Sequence, residues 1–537
     1  MDSRSWSGVG RGLAGGALLA LALAWTACGS SAPGSGGRAD GGLPFGMEDG
    51  GTATEDGGGE PPDAGIEAPR EALVRGLAIS QIALYQGIKI PIMKDGNPTE
   101  RPTNPVVQGR AGLLTVFVTP GSGYRARTVK GILEVRRGDQ LIERLENERR
   151  ITAPSRDADL SSMFSFNLTT DHVTDDFRYR VELRETTTDE TFDGADDRAT
   201  FPAEGTAHVQ TKWAGARMRV VIVPMRYNAD RSGREPDTSD AAVERYRALM
   251  LATYPVPDVE VTVHEPVDIS YTITAAGRGW SETLDFLLRL RQDDGIDDDI
   301  YYYGVFNPSR SFSTYCSQGC ILGLSSGSAD PRLSVLRGSI GVGYAGEPGY
   351  APESTFVHEI GHAHGRLHAP CGLDGQPADR GFPYSTGGVG TWGLDPRSRR
   401  MLDPARTKDF MSYCDPSWIS DYTYRALFER VKQVNDLAGQ PKLASAPDGR
   451  RAFRMLRKTE DGLALGSKVL LAPSAVGETL RVERGTHGRA LGSVTAQFFP
   501  YDHLPGGIVL IEESALVDVH ELAIGAHTLR LPTRLGH

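Results

Sequence analysis

His358-Glu359-Ile360-Gly361-His362-Ala363-His364-Gly365-Arg366-Leu367-His368 is the stretch on which the reading turns. It holds four of the chain's 12 histidines, far more than an even spread would place there. On a helix, residues four apart lie one turn above each other, so His358 and His362 point the same way and can share one Zn2+ at about 2.0–2.1 Å. Glu359, turned about 100° along the same helix, reaches a water on the metal rather than the metal itself. If the helix continued, His368 would lie about 9 Å farther along the axis and miss the ion. Gly365 is the residue suited to turning the chain back, because it accepts the left-handed conformation that ends a helix. Three neutral imidazoles leave the fourth tetrahedral position to water, the mark of a catalytic rather than a closed structural site. Zn2+ brings the pKa of that water to about 7, and Glu359 is placed to take its proton and later pass one to a leaving amine. The blander alternatives are a histidine-rich helix end in solvent and a zinc site kept only for stability, and the full spacing disfavours both. His364, six residues after His358, falls about 240° round the helix, which places it beside the site or at the surface.

Downstream, Asp409-Phe410-Met411-Ser412-Tyr413-Cys414 supplies a Met-x-Tyr sequence. With the H-E-x-x-H-x-x-G-x-x-H run, it resembles the metzincin clan of zinc peptidases over roughly residues 215 to 438. The resemblance implies that Met411 forms an apolar floor beneath the metal and that Tyr413 approaches the zinc or the oxyanion. Plain core packing is the other reading of Met411. It also implies that the glycine-containing strand around Ser339 to Tyr344 is the edge on which an extended substrate pairs. Ala369-Pro370 departs from the residue that marks the best-known subfamilies, so no substrate is carried over. No cysteine precedes Cys316 in the region expected to fold, so no propeptide thiol is expected on the zinc.

Outward from this motif the chain reads as α/β. A strand at Met218 to Met225 precedes a helix from Ser239 to Tyr254, whose Ala242, Val243, Tyr246, Leu249 and Met250 make one apolar face. A strand at Val259 to Val263 follows. Then come a helix with Ser281 as cap and Leu284, Leu287, Leu288 and Arg291 on one side, a strand at Ile300 to Phe306, and a closing helix from about Asp421 to Leu437. Runs such as Leu77 to Tyr85, Leu113 to Val118, Met163 to Leu168 and Tyr179 to Leu183 predict an all-β, sandwich-like module ahead of it. Val469 to Leu471, Thr479 to Val482, Ser493 to Phe499 and Gly507 to Ile511 predict a small β domain after it. The expected fold is multidomain: a central α/β metzincin-like catalytic domain (213–438) flanked by all-β sandwich-like modules (71–212 and 439–537).

Residues 1–27, with Arg4 and Arg11 ahead of an apolar stretch too short for the about 20 residues that span a bilayer, read as a signal peptide. Cys28 after Thr26 and Ala27 resembles a bacterial lipobox, which implies lipidation, although Trp25 stands where that pattern favours Leu. Residues 28–70 are rich in Gly, Ser, Pro and acidic residues, and predict a disordered tether. The chain is thus expected to be exported, either anchored at the bacterial outer membrane or cell surface as a lipoprotein or secreted. In an exported chain Cys316, Cys320, Cys371 and Cys414 read as a disulfide framework. Four cysteines allow three pairings, of which Cys316–Cys320 with Cys371–Cys414 is favoured; Cys316-x-x-x-Cys320 as half a metal site has no second pair nearby. The acidic run Asp293 to Asp299 offers carboxylates to Ca2+ but lacks a complete loop pattern, and reads first as a solvated turn.

With 69 acidic against 58 basic side chains and no long cationic run, there is no footprint for nucleic acid, and a membrane is expected only through Cys28. The expected activity is a zinc endopeptidase acting on extracellular protein or glycoprotein, with one catalytic Zn2+ on His358, His362 and His368 and with Glu359 as base. A rival from another class is an adhesion or glycan-binding protein that keeps the zinc domain as scaffold. It leaves Glu359 and an open coordination position without a purpose. The sequence does not fix the oligomeric state.

Overall fold

The structure, a computed structural model, describes residues 71–532 apart from 188–191, 329, 374, 439–448, 473 and 475. Cys28, the signal segment and the tether lie outside the described residues. At the centre stands a six-stranded sheet of β1 (Met218–Tyr227), β2 (Val259–Val263), β3 (Val267–Ile269), β4 (Ile300–Phe306), β5 (Gly323–Ser325) and β6 (Gly338–Val342). Its order is β2-β1-β4-β6-β5, with β3 also on β1. The β1, β2, β3, β4 and β6 pairings are parallel, and β5 alone runs antiparallel, on β6. Helices α1 (Asp240–Thr253), α2 (Trp280–Asp293), α3 (Pro352–Ala363) and α4 (Asp421–Ala438) accompany it.

Parallel strands covered on both faces read as continuous apolar runs. β1 and β4 do so because Val220, Ile222, Tyr301 and Tyr303 enter one core with α1 and α3, while Val223, Met225, Tyr302 and Phe306 enter another with α2. Ser239 caps α1 by accepting from the Ala242 amide. The expected cap at Ser281 is corrected: α2 begins at Trp280 behind Gly279, whose φ of 84° lets the chain enter the helix without a side-chain cap. The expected substrate-pairing edge is corrected as well. β6 is enclosed between β4 and β5, so the sheet's edge is β5.

Residues 77–208 supply two antiparallel sheets, the first ordered Asn97–Pro98, Lys89–Lys94, Leu77–Tyr85, Gly112–Pro120, Phe164–Leu168 and the second built on Arg127–Arg137, Gln140–Ile151 and Phe177–Glu185. Phe164 of the first sheet lies so close to Gly131 of the second that a Cβ there would stand 2.6 Å from its ring. The C-terminal sheet has seven antiparallel strands, among them Arg451–Lys458, Arg489–Pro500 and Gly507–Glu512. The modules do not hang on linkers. One apolar core runs from Val116 and Val181 of the N-terminal sheets to Ile222 and Phe356 of the centre, and a second from Leu284 and Ile340 to Phe453 and Leu510 of the C-terminal sheet. Arg110, fully buried, donates to the carbonyls of Leu251, Ala252 and Val256 across the first junction.

Candidate metal centre

Helix α3 carries the motif. Pro352 at its first turn needs no amide partner there. The helix stops at Ala363 because Gly365, at φ 77°, accepts the left-handed turn. The Gly365 amide donates to the His362 carbonyl at 2.7 Å and the Arg366 amide to the Gly361 carbonyl at 3.0 Å, the paired bonds of a Schellman close. The chain doubles back and brings His368 to the other two histidines: His362 Nε2 lies 3.1 Å from His358 Nε2 and 3.0 Å from His368 Nε2.

The opposite ring nitrogens are committed elsewhere. His358 Nδ1–H donates to the Phe410 carbonyl and His362 Nδ1–H to the Arg366 carbonyl, both at 2.7 Å. Their Nε2 atoms therefore face each other as lone pairs. Such an arrangement repels itself unless a cation sits among it, so the donor set fits a divalent metal with nitrogen preference, and Zn2+ before others. Burial drives the pKa of His358 down to about 3 and of His368 to about 2, and holds His362 far below its ordinary value, with neighbouring histidines adding to the effect. All three are neutral imidazoles at pH 7, the state a metal needs.

Glu359 is 1% exposed, and burial pushes its carboxyl up to about 8, a side-chain hydrogen bond with Asp502 opposing the rise. Strand β5 passes close over it: a Cβ on Gly323 would stand 2.2 Å from Glu359 Oε1. Met411 packs under α3, where a Cβ on Gly361 would meet its sulfur at 2.5 Å. The glycine inside the motif is therefore fixed by the methionine below it. The turn that carries Met411 is held by Asp409, fully buried, whose carboxylate accepts from the amides of Met411 (2.8 Å) and Ser420 (3.0 Å). Burial raises the Asp409 pKa and these hydrogen bonds oppose the rise. The Cys371–Cys414 disulfide ties this turn to the segment after His368, beside a bond from the Ala369 amide to the Met411 carbonyl. The other bridge is Cys316–Cys320.

Tyr413 places its hydroxyl 2.8 Å from His368 Nε2, with burial raising its pKa and the Glu359 and Asp502 carboxylates adding to that. His364 is corrected from a place beside the site or at the surface. It is 3% exposed, stacked on Tyr301 at 4.3 Å between centroids and edge-on to Tyr254, in the core behind the helix. Of the acidic run, Asp297 and Asp299 bind Arg219, and Asp294 accepts from the Tyr302 hydroxyl. None of the run enters the candidate metal-binding groups among the described residues.

Sequence reasoning missed two residues. Asp502 and His503, from the C-terminal sheet's loop, reach the centre: His503 Nε2 stands 3.1 Å from Glu359 Oε1, and Asp502 Oδ2 stands 3.5 Å from His362 Nε2. They lie 144 and 140 residues from those partners, and no spacing rule links them. Beside His503, a cavity of about 800 Å³ runs between Leu322, Tyr350, Val357, Tyr413 and Trp418.

Residues 325–430 match the family model of peptidase M66, a family of zinc-dependent peptidases. The matched segment contains α3, the three histidines, the Met411 turn and the first part of α4, and it supports a zinc-dependent peptidase, a hydrolase. No curated protein matches the chain. Among solved structures, the chain is similar to a calcium-binding mutant of Bacteroides uniformis beta-glucuronidase 2, at 11% identity over 45% of this chain and 25% of that one, with TM-score 0.14. It is similar also to the same enzyme covalently bound to cyclophellitol-6-carboxylate aziridine, at 13% identity, the same coverage and TM-score 0.14. The chain spans about a quarter of the length of that glucuronidase. At these TM-scores the likenesses carry no weight for fold or activity.

Proposed function

We propose that the chain is a metzincin-type zinc endopeptidase, exported and acting on extracellular proteins or glycoproteins. The observation that carries this is the convergence of three buried Nε2 atoms beside the Glu359 carboxylate, over a methionine floor and under an edge strand. His358, His362 and His368 would hold Zn2+, which supplies Lewis acidity to a water and to the scissile carbonyl. Glu359 takes the proton released as the water attacks and returns it to the leaving amine. Tyr413, protonated at neutral pH, can donate to the developing oxyanion from beside His368. β5 is the outermost strand, where an extended peptide would pair, and its small residues permit close approach to Glu359. The cavity next to Tyr413 offers room for a side chain on one side of the cleaved bond.

A carboxylate buried beside three converging histidines serves bond cleavage better than adhesion, since a scaffold has no use for it there. Glu359→Gln should retain zinc and cut the hydrolysis rate by at least about 100-fold, the contribution of a positioned general base. Equal cleavage of a generic protein substrate by both forms would defeat the proposal. The export and surface placement rest on the sequence around Cys28 and are tested by globomycin-sensitive lipid labelling of the full chain.

A further inference from the structure

The C-terminal sheet does more than pack beside the peptidase domain. Between strands Arg489–Pro500 and Gly507–Glu512 the chain projects the loop Tyr501–Gly506 onto β5. Tyr501 makes an antiparallel bridge with Ser326, and the Asp502 amide donates to the Ser325 carbonyl at 3.3 Å. The Ser325 amide donates in turn to both oxygens of the Asp502 carboxylate, at 3.0 and 3.1 Å. The loop thus lies along the same edge that an extended peptide would need. Its side chains fill the centre. Asp502, its side chain 5% exposed, holds Oδ2 3.5 Å from His362 Nε2. The side chain that groups with the three histidines as a candidate metal ligand is His503, while Asp502 groups with Glu359 and His503. His503 lies between the two groups expected to do chemistry: its Nε2 stands 3.1 Å from Glu359 Oε1, and its Nδ1 stands 2.6 Å from the Tyr413 hydroxyl. Leu504 anchors the far side so tightly on Gly277 that a Cβ there would be 2.4 Å from its methyl.

We propose that the chain occupies its own cleft: the Tyr501–Leu504 loop is an autoinhibitory segment, seated on β5 in the manner of a peptide, with His503 and Asp502 set over the metal position and Glu359. In this state the two side chains stand where a water or a substrate carbonyl must enter, and His503 engages both Glu359 and Tyr413. Activation is withdrawal of the C-terminal hairpin, which trades main-chain pairing with β5 for the same pairing with substrate. The inference rests on the zinc reading above and adds to it an inhibitory loop from another module.

The test compares the full chain with Asp502→Ala, and with Leu504→Ser, which loosens the loop without touching a group at the metal. Each is loaded with Zn2+ or Co2+, and three quantities are measured: bound metal, the visible spectrum of the Co2+ form, and calorimetric affinity for acetohydroxamate. The expected result is one metal in all three proteins. A changed Co2+ spectrum is expected in Asp502→Ala, with hydroxamate binding at least about tenfold tighter in both variants, because the binding-competent fraction rises. Cleavage of a protein substrate should rise in parallel. Equal spectra and equal hydroxamate affinities, with metal bound, overturn the inference. So does a fall in cleavage with hydroxamate affinity unchanged, which would make the loop part of the working site. Absence of bound metal in every form would instead refute the zinc reading on which the inference stands.

Discussion

Replacing Gly361 by alanine asks whether the methionine floor and the metal helix are one packed unit. In an exposed helix interior, Gly→Ala gains roughly 0.5–1 kcal/mol. Here the new Cβ would stand 2.5 Å from Met411 Sδ and 3.4 Å from Phe410 Cε2. A carbon and a sulfur need well over 3 Å, so Met411 must shift by about 1 Å in a place where it is 1% exposed and its carbonyl is tied to Ala369. Overpacking of this kind costs about 1–3 kcal/mol, which outweighs the helix gain and leaves a net loss of about 1–2 kcal/mol. The shift also presses on the Phe410 carbonyl that orients His358, so zinc affinity should fall by about tenfold. A double-mutant cycle with Met411→Ala separates packing from propensity. Met411→Ala alone opens a cavity at about 2–5 kcal/mol, and adding Gly361→Ala should then be neutral or stabilising, a coupling of at least about 1 kcal/mol. Unfolding of the metal-free protein and zinc competition against a chelator measure both. If Gly361→Ala is stabilising alone and uncoupled from Met411, the floor does not bear on the helix as described.

Gly323→Ala should leave zinc content intact while lowering kcat, because its Cβ would fall 2.2 Å from the Glu359 carboxylate; steady-state kinetics with metal analysis decides, and an unchanged kcat would refute the close approach. Opening the Cys371–Cys414 bridge with paired serines frees a loop of 43 residues' separation and should cost up to about 4 kcal/mol of stability, and it should weaken zinc binding, since the segment after His368 then keeps only hydrogen bonds to the Met411 turn. The metal-free protein should lose stability as pH falls. The folded pKa values of about 3 for His358 and His364 lie below the unfolded value of 6.5, so the unfolded chain binds more protons from pH 6.5 downward until the folded values are reached. Each such histidine contributes a slope of about 1.4 kcal/mol per pH unit in that window, and His364→Phe should remove one share of it in acid titrations followed by circular dichroism.

The sequence alone determined whatever is local. The i, i+4 spacing of His358 and His362, the place of Glu359 between them and the need for a turn at Gly365 follow from helix geometry, and the structure closes the helix with both hydrogen bonds that the turn implies. Apolar periodicity located α1 and the central strands because each buries a repeating face. Met411 was legible only through resemblance, and its contact with Gly361 only through packing. Tertiary structure decided the rest. That β5 rather than β6 is the sheet's edge depends on which strand pairs last, and three-residue strands carry too few side chains to signal it. That His364 enters an aromatic stack depends on Tyr254 and Tyr301, which come from α1's end and β4. Asp502 and His503 reach the metal centre because the C-terminal sheet shares a core with the central one, and a contact across more than a hundred residues is fixed by shape and burial, which leave no period in the sequence.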